Sequence, residues 1–210
     1  MLIEQVVLGV FETNSYILRA SAESKDCVVV DTGLDAGPLM NMLAAKRLNP
    51  LAILLTHGHA DHTKGIDDLR QKYPDILVVM HKDDAPMLTS PVRNMSVLAK
   101  DIITHEPADI LIKQEGPIEY AGLKLYVLHT PGHTPGGVCF YSEDDHVIFV
   151  GDTLFHNGIG RTDLPGGNHD QLIESIKSKL IPLHDKTVVY PGHGPKTSIK
   201  EEKQFNPFLA

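Results

Sequence analysis

Tryptophan is absent from the 210 residues, and cysteine occurs only as Cys27 and Cys139. Each cysteine lies inside an apolar strand-like run, CVVV and VCFY, which reads as a buried thiol rather than half of a bridge. So few thiols also leave no material for a closed, cysteine-rich zinc cage. No apolar run approaches the roughly 20 residues that a bilayer span needs, so no membrane partner is expected. The opening stretch MLIEQVVLGVFETN has no basic residue before Arg19 and carries Glu4, the wrong charge pattern for a secretory signal. The expected compartment is therefore the cytoplasm. Positive charge is in deficit as well: 19 Lys and Arg stand against 27 Asp and Glu, a net charge of −8. An acidic chain without basic clusters has no electrostatic hold on a phosphate backbone, which removes nucleic acid from the expected partners. What remains is ordinary globular usage, 42% hydrophobic and 22% charged, in a chain long enough for one domain that buries roughly 70% of its unfolded surface.

The abundant residue is histidine, present 12 times. It is the commonest metal ligand, so its placement decides what it means. The pattern predicts strands over 2–10 and 15–19 around a turn at Glu12–Asn14, and a buried β-branched strand over 27–31. A helix opened by Pro38 runs to about Leu48, followed by a strand over 51–55, a helix over 62–72 and a strand over 76–80. Residues 82–109, with Pro86, Pro91 and Pro107, are less regular and read as two short helices forming one wall of a pocket. Strands follow at 110–113, 117–120, 123–128, 137–142 and 146–150. Asn168 caps a helix reaching about Leu180, and the last strand is 187–190. Strands interleaved with helices in this way predict an α/β fold built as a layered sandwich.

Four of the strands run into Gly-rich loops that carry histidine or aspartate. LAILL-THGHADH (51–62) holds His57, His59, Asp61 and His62. Residues two apart in an extended loop point the same way, so His57 and His59 can grip one ion while Asp61 and His62 face a second. A capping role for Asp61 alone leaves three histidines within six residues unexplained. LKLYVLH-TPGHTPGG (123–137) carries His129 and His133, of which His129 reads as a hydrogen-bonding strand-end residue. HVIFV-GDTLF (146–155) ends a buried strand on Asp152, a position costly for a carboxylate without a cation or several donors. TVVY-PGHGPKT (187–197) sets His193 between two glycines, with no packing reason for an imidazole. The donor set is nitrogen and oxygen only, and seven such groups exceed what one tetrahedral ion takes. That predicts two divalent ions sharing a carboxylate, zinc first, with iron or manganese suited to the same ligands. His81, His105, His146, His156, His169 and His184 read as ordinary.

The H-x-H-x-D-H run at His57, His59, Asp61 and His62 stands with Gly132-His133, Gly151-Asp152 and Gly192-His193. Together they resemble the metallo-β-lactamase fold superfamily over nearly the whole chain. The resemblance implies a metallo-β-lactamase-like αβ/βα four-layer sandwich, two facing β-sheets with helices outside. It implies one metal on His57, His59 and His133, another on Asp61, His62 and His193, and Asp152 as the bridge. It matches Asp31, in VVDTG, to a position that supports the site from behind the ligands; a strand-end turn aspartate is the other reading. Within the superfamily, PGHTPGG, FVGDTLF, GIGRTDLPGG and YPGHG look most like the glyoxalase-II-like hydrolases, which cleave S-2-hydroxyacyl-glutathione thioesters. The chain runs only 17 residues past His193, so residues 1–210 are expected to form a single domain without the C-terminal helical domain of full-length glyoxalase II. Asp163 stands where family members carry a glutathione-contacting aromatic.

The expected activity is therefore a metal-dependent hydrolase cleaving a thioester, with a small-molecule substrate and hydroxide drawn from metal-activated water. Asp61 is both ligand and orienter of the nucleophile, and a metal takes up the developing oxyanion. Arg161, on its Gly-rich loop, is the substrate-binding candidate, against a reading in which it only pairs with Asp163. A mononuclear-iron persulfide dioxygenase, bound through positions matching His57, His133 and Asp152, is the first alternative. Ile159 stands where that group has cysteine, which counts against it. A non-enzymatic metal-binding protein is the second. A flavodiiron protein is disfavoured by His59, which replaces a glutamate, and an exported β-lactamase by the missing signal.

Overall fold

The computed structural model describes residues 1–99 and 101–209. The chain opens with an antiparallel hairpin of β1 (Leu2–Leu8) and β2 (Thr13–Arg19), and β3 (Asp26–Val30) pairs antiparallel with β2. Helix α1 (Gly37–Lys46) crosses to β4 (Asn49–Leu54), and helices α2 (Ala60–Thr63) and α3 (Ile66–Lys72) cross to β5 (Leu77–His81). Helix α4 (Ala85–Leu88) and a 3-10 turn at Ser96–Ala99 lead to β6 (Ile110–Ile112). Strands β3 to β6 are mutually parallel, and the sheet order is β1-β2-β3-β4-β5-β6. The second half builds β7 (Gly116–Tyr120), β8 (Leu123–His129), β9 (Val138–Ser142) and β10 (Val147–Gly151) as an antiparallel meander. A small hairpin of β11 (Leu154–Phe155) and β12 (Gly158–Ile159) and the helix α5 (His169–Ser175) come next. Strands β13 (Val188–Pro191) and β14 (Thr197–Ser198) then complete a second sheet, ordered β14-β13-β10-β9-β8-β7, and helix α6 (Ile199–Phe205) follows.

The layering follows from the two-residue period of a strand. In β3, Cys27 and Val29 face the helices, packing with Leu39 and Leu43 of α1 and Ile66 and Leu69 of α3. Val28 and Val30 face the other way, meeting Leu125, Val127, Phe140 and Phe149 of the second sheet. In β10, Val147 and Phe149 point to that shared core, while Ile148 and Val150 pack with Leu172 and Ile176. Three cores between four layers is the αβ/βα sandwich with two facing sheets and helices outside. A strand buried on both faces has no polar side, which is why 27–31 and 51–55 read as continuous apolar runs.

Several boundaries differ from expectation, each for a tertiary reason. The helix expected over 62–72 is two pieces, because Thr32 N (2.8 Å) and Thr32 Oγ1 (3.1 Å) both donate to the His62 carbonyl. An unbroken helix would have given that carbonyl to Ile66. The helix expected to reach Leu48 stops at Lys46, with Arg47 in the left-handed region. Asn168 caps α5 by accepting from Gln171 N at 3.0 Å, but the last turn, Ile176–Leu180, is a π-turn. The β11–β12 hairpin, β14 and α6 have no counterpart in the expected elements. Cys27 and Cys139 are free and buried in different cores, and burial pushes each thiol up to about 12. Among the described residues no helix is long and apolar enough to cross a membrane.

Candidate metal centre

The loops after β4, β8, β10 and β13 meet at one edge of the two sheets. Val138 N donates to Thr56 O at 2.8 Å and Asn14 N to Gly192 O at 2.7 Å, stitching one sheet to the other there. Gly151 makes the approach possible: its φ is +49°, and a Cβ would lie 2.3 Å from Thr56 Oγ1. The β10–β13 register shifts at this point and turns Asp152 into the gap.

Four imidazoles are aimed by what their Nδ1 atoms bond. His57 Nδ1 donates to Thr56 Oγ1 (3.1 Å), and His62 Nδ1 to Asp31 Oδ2 (2.8 Å). His133 Nδ1 donates to the Arg161 carbonyl (2.7 Å), and His193 Nδ1 to the Phe11 carbonyl (2.9 Å). In each ring Nε2 is left to face the gap, the arrangement that orients imidazole ligands in metal sites. His59 lacks such an acceptor; its Nδ1 faces His133 Nε2 at 2.9 Å. Asp31 is itself braced, accepting from Thr56 N (2.9 Å) and Thr56 Oγ1 (2.8 Å). Its φ of 55° makes it a left-handed strand-end residue too, so the two readings of Asp31 describe one residue.

The free atoms gather in overlapping groups. Ligand atoms of His57, His59 and His133 lie within 4.8 Å of one another, as do those of Asp61, His62 and His193, and those of His57, His62 and Asp152. Asp152 sits between the sets, with Oδ1 3.4 Å from His62 Nε2 and Oδ2 3.6 Å from both His133 Nε2 and His193 Nε2. Asp61 Oδ2 is 3.3 Å from His193 Nε2 and 3.7 Å from His62 Nε2. Asp61 and His193 are the most open members, 22% and 26% exposed at the side chain, so the mouth lies on their side. The exposed Phe11, whose carbonyl His193 bonds, and the half-buried Phe155, packing edge-on to His193, adjoin it.

This donor set fits divalent cations. His57 Nε2 and Asp152 Oδ1 are buried without any hydrogen-bond partner, a costly state unless an electrophile completes it. The protonation states divide the set. Burial, with the neighbouring imidazoles, holds His57 well below its ordinary range; burial, then His133, brings His59 down to about 3. Burial alone would raise Asp61 and Asp152, but His62 and the other imidazoles outweigh it and hold both carboxyls low. Burial works against charging His62 and His193, yet the carboxylates around them keep both raised. Ionised carboxylates and neutral imidazoles are the ligand forms, so Asp61, Asp152, His57 and His59 are already in them, whereas His62 and His193 give up a proton when a cation binds.

Arg161 contributes to this geometry through its backbone. Its side chain is exposed and paired with Asp163 by two hydrogen bonds of 2.8 Å. Three residues to which the sequence assigned no role also touch the site's framework: Thr56 and Thr134, inside the motifs, and Asp84, outside them.

A third group, His81, Asp83 and His129, also brings three donors within 4.8 Å. Its rings stack nearly parallel, 4.2 Å apart at 16°, so their in-plane lone pairs run side by side instead of converging. His129 Nε2 is occupied in donating to the Pro135 carbonyl (3.0 Å). This is a packing pair with a pH signature. Burial, then His129, brings His81 down to about 4, with Asp83 opposing and Lys82 reinforcing the shift. The unfolded chain binds that proton more tightly, so stability rises with pH between about 4 and the ordinary 6.5 and is lost on acidification. The urea midpoint is expected to fall from pH 7 to pH 5, and His81→Gln to flatten part of that fall. An unchanged pH slope in the variant would refute the assignment.

Residues 8–193 match the family described as Metallo-beta-lactamase superfamily. The chain is 40% identical over 203 residues to Probable metallo-hydrolase YqgX of Bacillus subtilis, covering 96% of this chain and 94% of that one. It is 36% identical over 211 residues to Hydroxyacylglutathione hydrolase GloC of Haemophilus influenzae, covering 100% and 98%. Among solved structures, BLEG-1 B3 metallo-beta-lactamase superposes with a TM-score of 0.94 at 41% identity, covering all of both chains. TTHA1623 in a di-iron-bound form superposes with a TM-score of 0.84 at 35% identity, covering 98% of this chain and 100% of that one.

Proposed function

From the premise that the chain belongs to the metallo-beta-lactamase superfamily, we propose that it is a metal-dependent hydrolase of thioesters of the hydroxyacyl-glutathione type. The observation that carries the reading is the aiming of four imidazole Nε2 atoms into one gap beside buried, partnerless acceptors. In this reading His57, His59 and His133 would hold one divalent cation, Asp61, His62 and His193 would hold the other, and Asp152 would serve both. Zinc is the expected ion; the di-iron form of a relative 35% identical supports two ions and keeps iron in view. The likeness to GloC over the full chain supports the substrate class.

When bound, the cations supply Lewis acidity and bring the pKa of coordinated water to roughly 7. The chain's own residues do the rest. Asp61, ionised and at the open side of the site, accepts a hydrogen bond from the attacking water and turns its lone pair toward the acyl carbon. The C–O bond forms as the water gives up a proton to solvent past Asp61; the C–S bond then breaks with its electron pair on sulfur, and the thiolate takes a proton from solvent. A thiol has an ordinary pKa of about 8.5, so the thiolate departs without a strong general acid. Phe11 and Phe155 offer an apolar border for the substrate. Arg161, on the loop whose carbonyl orients His133, meets a substrate carboxylate by exchanging its Asp163 partner.

The test is metal analysis of protein purified without added metal, followed by a panel of acyl-glutathione thioesters, a persulfide and a β-lactam. Two cations per chain with thioester cleavage is the expected result. One iron with oxygen uptake on the persulfide, or cleavage of the β-lactam alone, overturns the reading. Arg161→Ala is expected to raise KM about tenfold, the worth of roughly 1.4 kcal/mol of charge-assisted hydrogen bonding, with metal content unchanged. Loss of metal in that variant would show that the residue serves the fold of the site instead.

A further inference from the structure

Asp84 is fully buried at the start of α4, where an aspartate ordinarily turns back to cap its own helix. It makes no such bond. Its carboxylate reaches away from the helix to two other loops. Oδ2 accepts from Gly58 N (3.1 Å) and Thr134 Oγ1 (2.7 Å), and Oδ1 accepts from Gly136 N (2.6 Å). Gly58 lies between His57 and His59, and Thr134 follows His133. One buried carboxylate thus ties together the two loops that supply a single triad of imidazoles, one loop from each sheet.

The packing agrees. A Cβ on Gly136 would lie 2.5 Å from Asp84 N and 2.8 Å from Asp84 Cβ, and a Cβ on Gly58 would lie 2.7 Å from Met87 Cβ and 3.2 Å from the Asp84 carbonyl. Both loops therefore close onto the Asp84 turn at backbone contact, and two motif glycines are explained by it. Burial pushes the Asp84 carboxyl up, and the Thr134, Gly136 and Gly58 donors pull against that.

We infer that Asp84 is a positioning residue, clamping the His57–His59 loop to the His133 loop and so setting the spacing of that cation's ligands. The inference rests on the reading of His57, His59 and His133 as ligands of one cation. It adds a residue that touches neither the cations nor the substrate. His59, the imidazole with no acceptor of its own, depends most on the clamp, because the loop backbone alone fixes it.

The test is a stepwise zinc titration against a competing chelator, with cobalt spectra, on folded wild type, Asp84→Asn, Thr134→Val and Thr134→Ser. In Asp84→Asn an amide NH2 replaces one acceptor and faces a backbone N–H, so a donor meets a donor. One of the two binding steps is expected to weaken about 10- to 100-fold, the usual cost of removing a group that orients a ligand. The other step, on Asp61, His62 and His193, is expected to stay put. Thr134→Val should weaken the same step less, and Thr134→Ser, which keeps the hydroxyl, should match wild type. A merely structural role would lower the melting temperature of the metal-free protein and leave both steps alone. Both steps within twofold of wild type in Asp84→Asn would overturn the clamp; if that variant does not fold, the same result in Thr134→Val does so. Wild type that takes up no cation pair would instead overturn the underlying reading.

Discussion

Asp152→Asn is expected to abolish thioester turnover, by at least about a thousandfold, and to leave one cation per chain or none. The substitution keeps shape and removes charge. Asp152 lies between the two imidazole sets, with Oδ1 facing His62 and Oδ2 facing both His133 of one set and His193 of the other. Its Oδ1 is buried and partnerless, so it is held for an electrophile. Asp61 and Asp152 are the two carboxylates within the proposed ligand set itself, with Asp31 behind His62. A unit charge about 4 Å from another is worth about 4 kcal/mol at an effective dielectric of 20, close to three powers of ten. An amide cannot bridge two cations, and its NH2 turns a donor toward one of them. Metal content and kcat should therefore fall together, while circular dichroism of the variant stays native. Two cations and turnover within tenfold of wild type would remove Asp152 from the bridging position.

How much of this was legible in the sequence depends on whether a residue's role is local. The layered architecture was, because alternation along Cys27–Val30 or Val147–Val150 buries both faces and leaves a run of apolar residues as its trace. The gathering of histidines was legible as density and spacing after apolar strands. What decides helix breaks and ligand aim is tertiary. The split at Lys64–Gly65 depends on Thr32 taking the His62 carbonyl, and no window of sequence around residue 64 contains Thr32. Asp84 leaves no trace of its role for the same reason: it stands in a local Asp-Ala-Pro cap signature, yet it does not cap, and its partners lie 26 to 52 residues away in sequence. Arg161 drew attention by its charge, yet its geometric hold on the site is a main-chain carbonyl that any residue could supply. The β11–β12 hairpin and α6 are short, and the buried Glu202 that joins them, accepting from Asn157 N at 3.0 Å, reads in sequence as one more surface acid.

Gly192→Ala is expected to damage the centre as severely as loss of a ligand while every ligand remains in place. Backbone conformation is not the obstacle, since Gly192 is not among the positive-φ residues. Space is: a Cβ there would lie 2.3 Å from Asp152 Oδ1 and 2.7 Å from His62 Cε1. Something must move, and the backbone is held on both sides, Gly192 N donating to Gly151 O (2.8 Å) and Gly192 O accepting from Asn14 N (2.7 Å). His62 is pinned from behind by Asp31. The displacement therefore falls on the Asp152 carboxylate and on the angle between it and the His62 ring. A shift near 1 Å at a reacting centre costs about a hundredfold in rate, and here the same shift disturbs the proposed bridge, so cation retention during dialysis should drop as well. Gly158→Ala is the matched comparison, because its added methyl would meet nothing closer than 3.7 Å and should leave turnover within twofold of wild type. A Gly192→Ala protein with two retained cations and full activity would mean that Asp152 and His62 do not converge where the loops after β10 and β13 bring them.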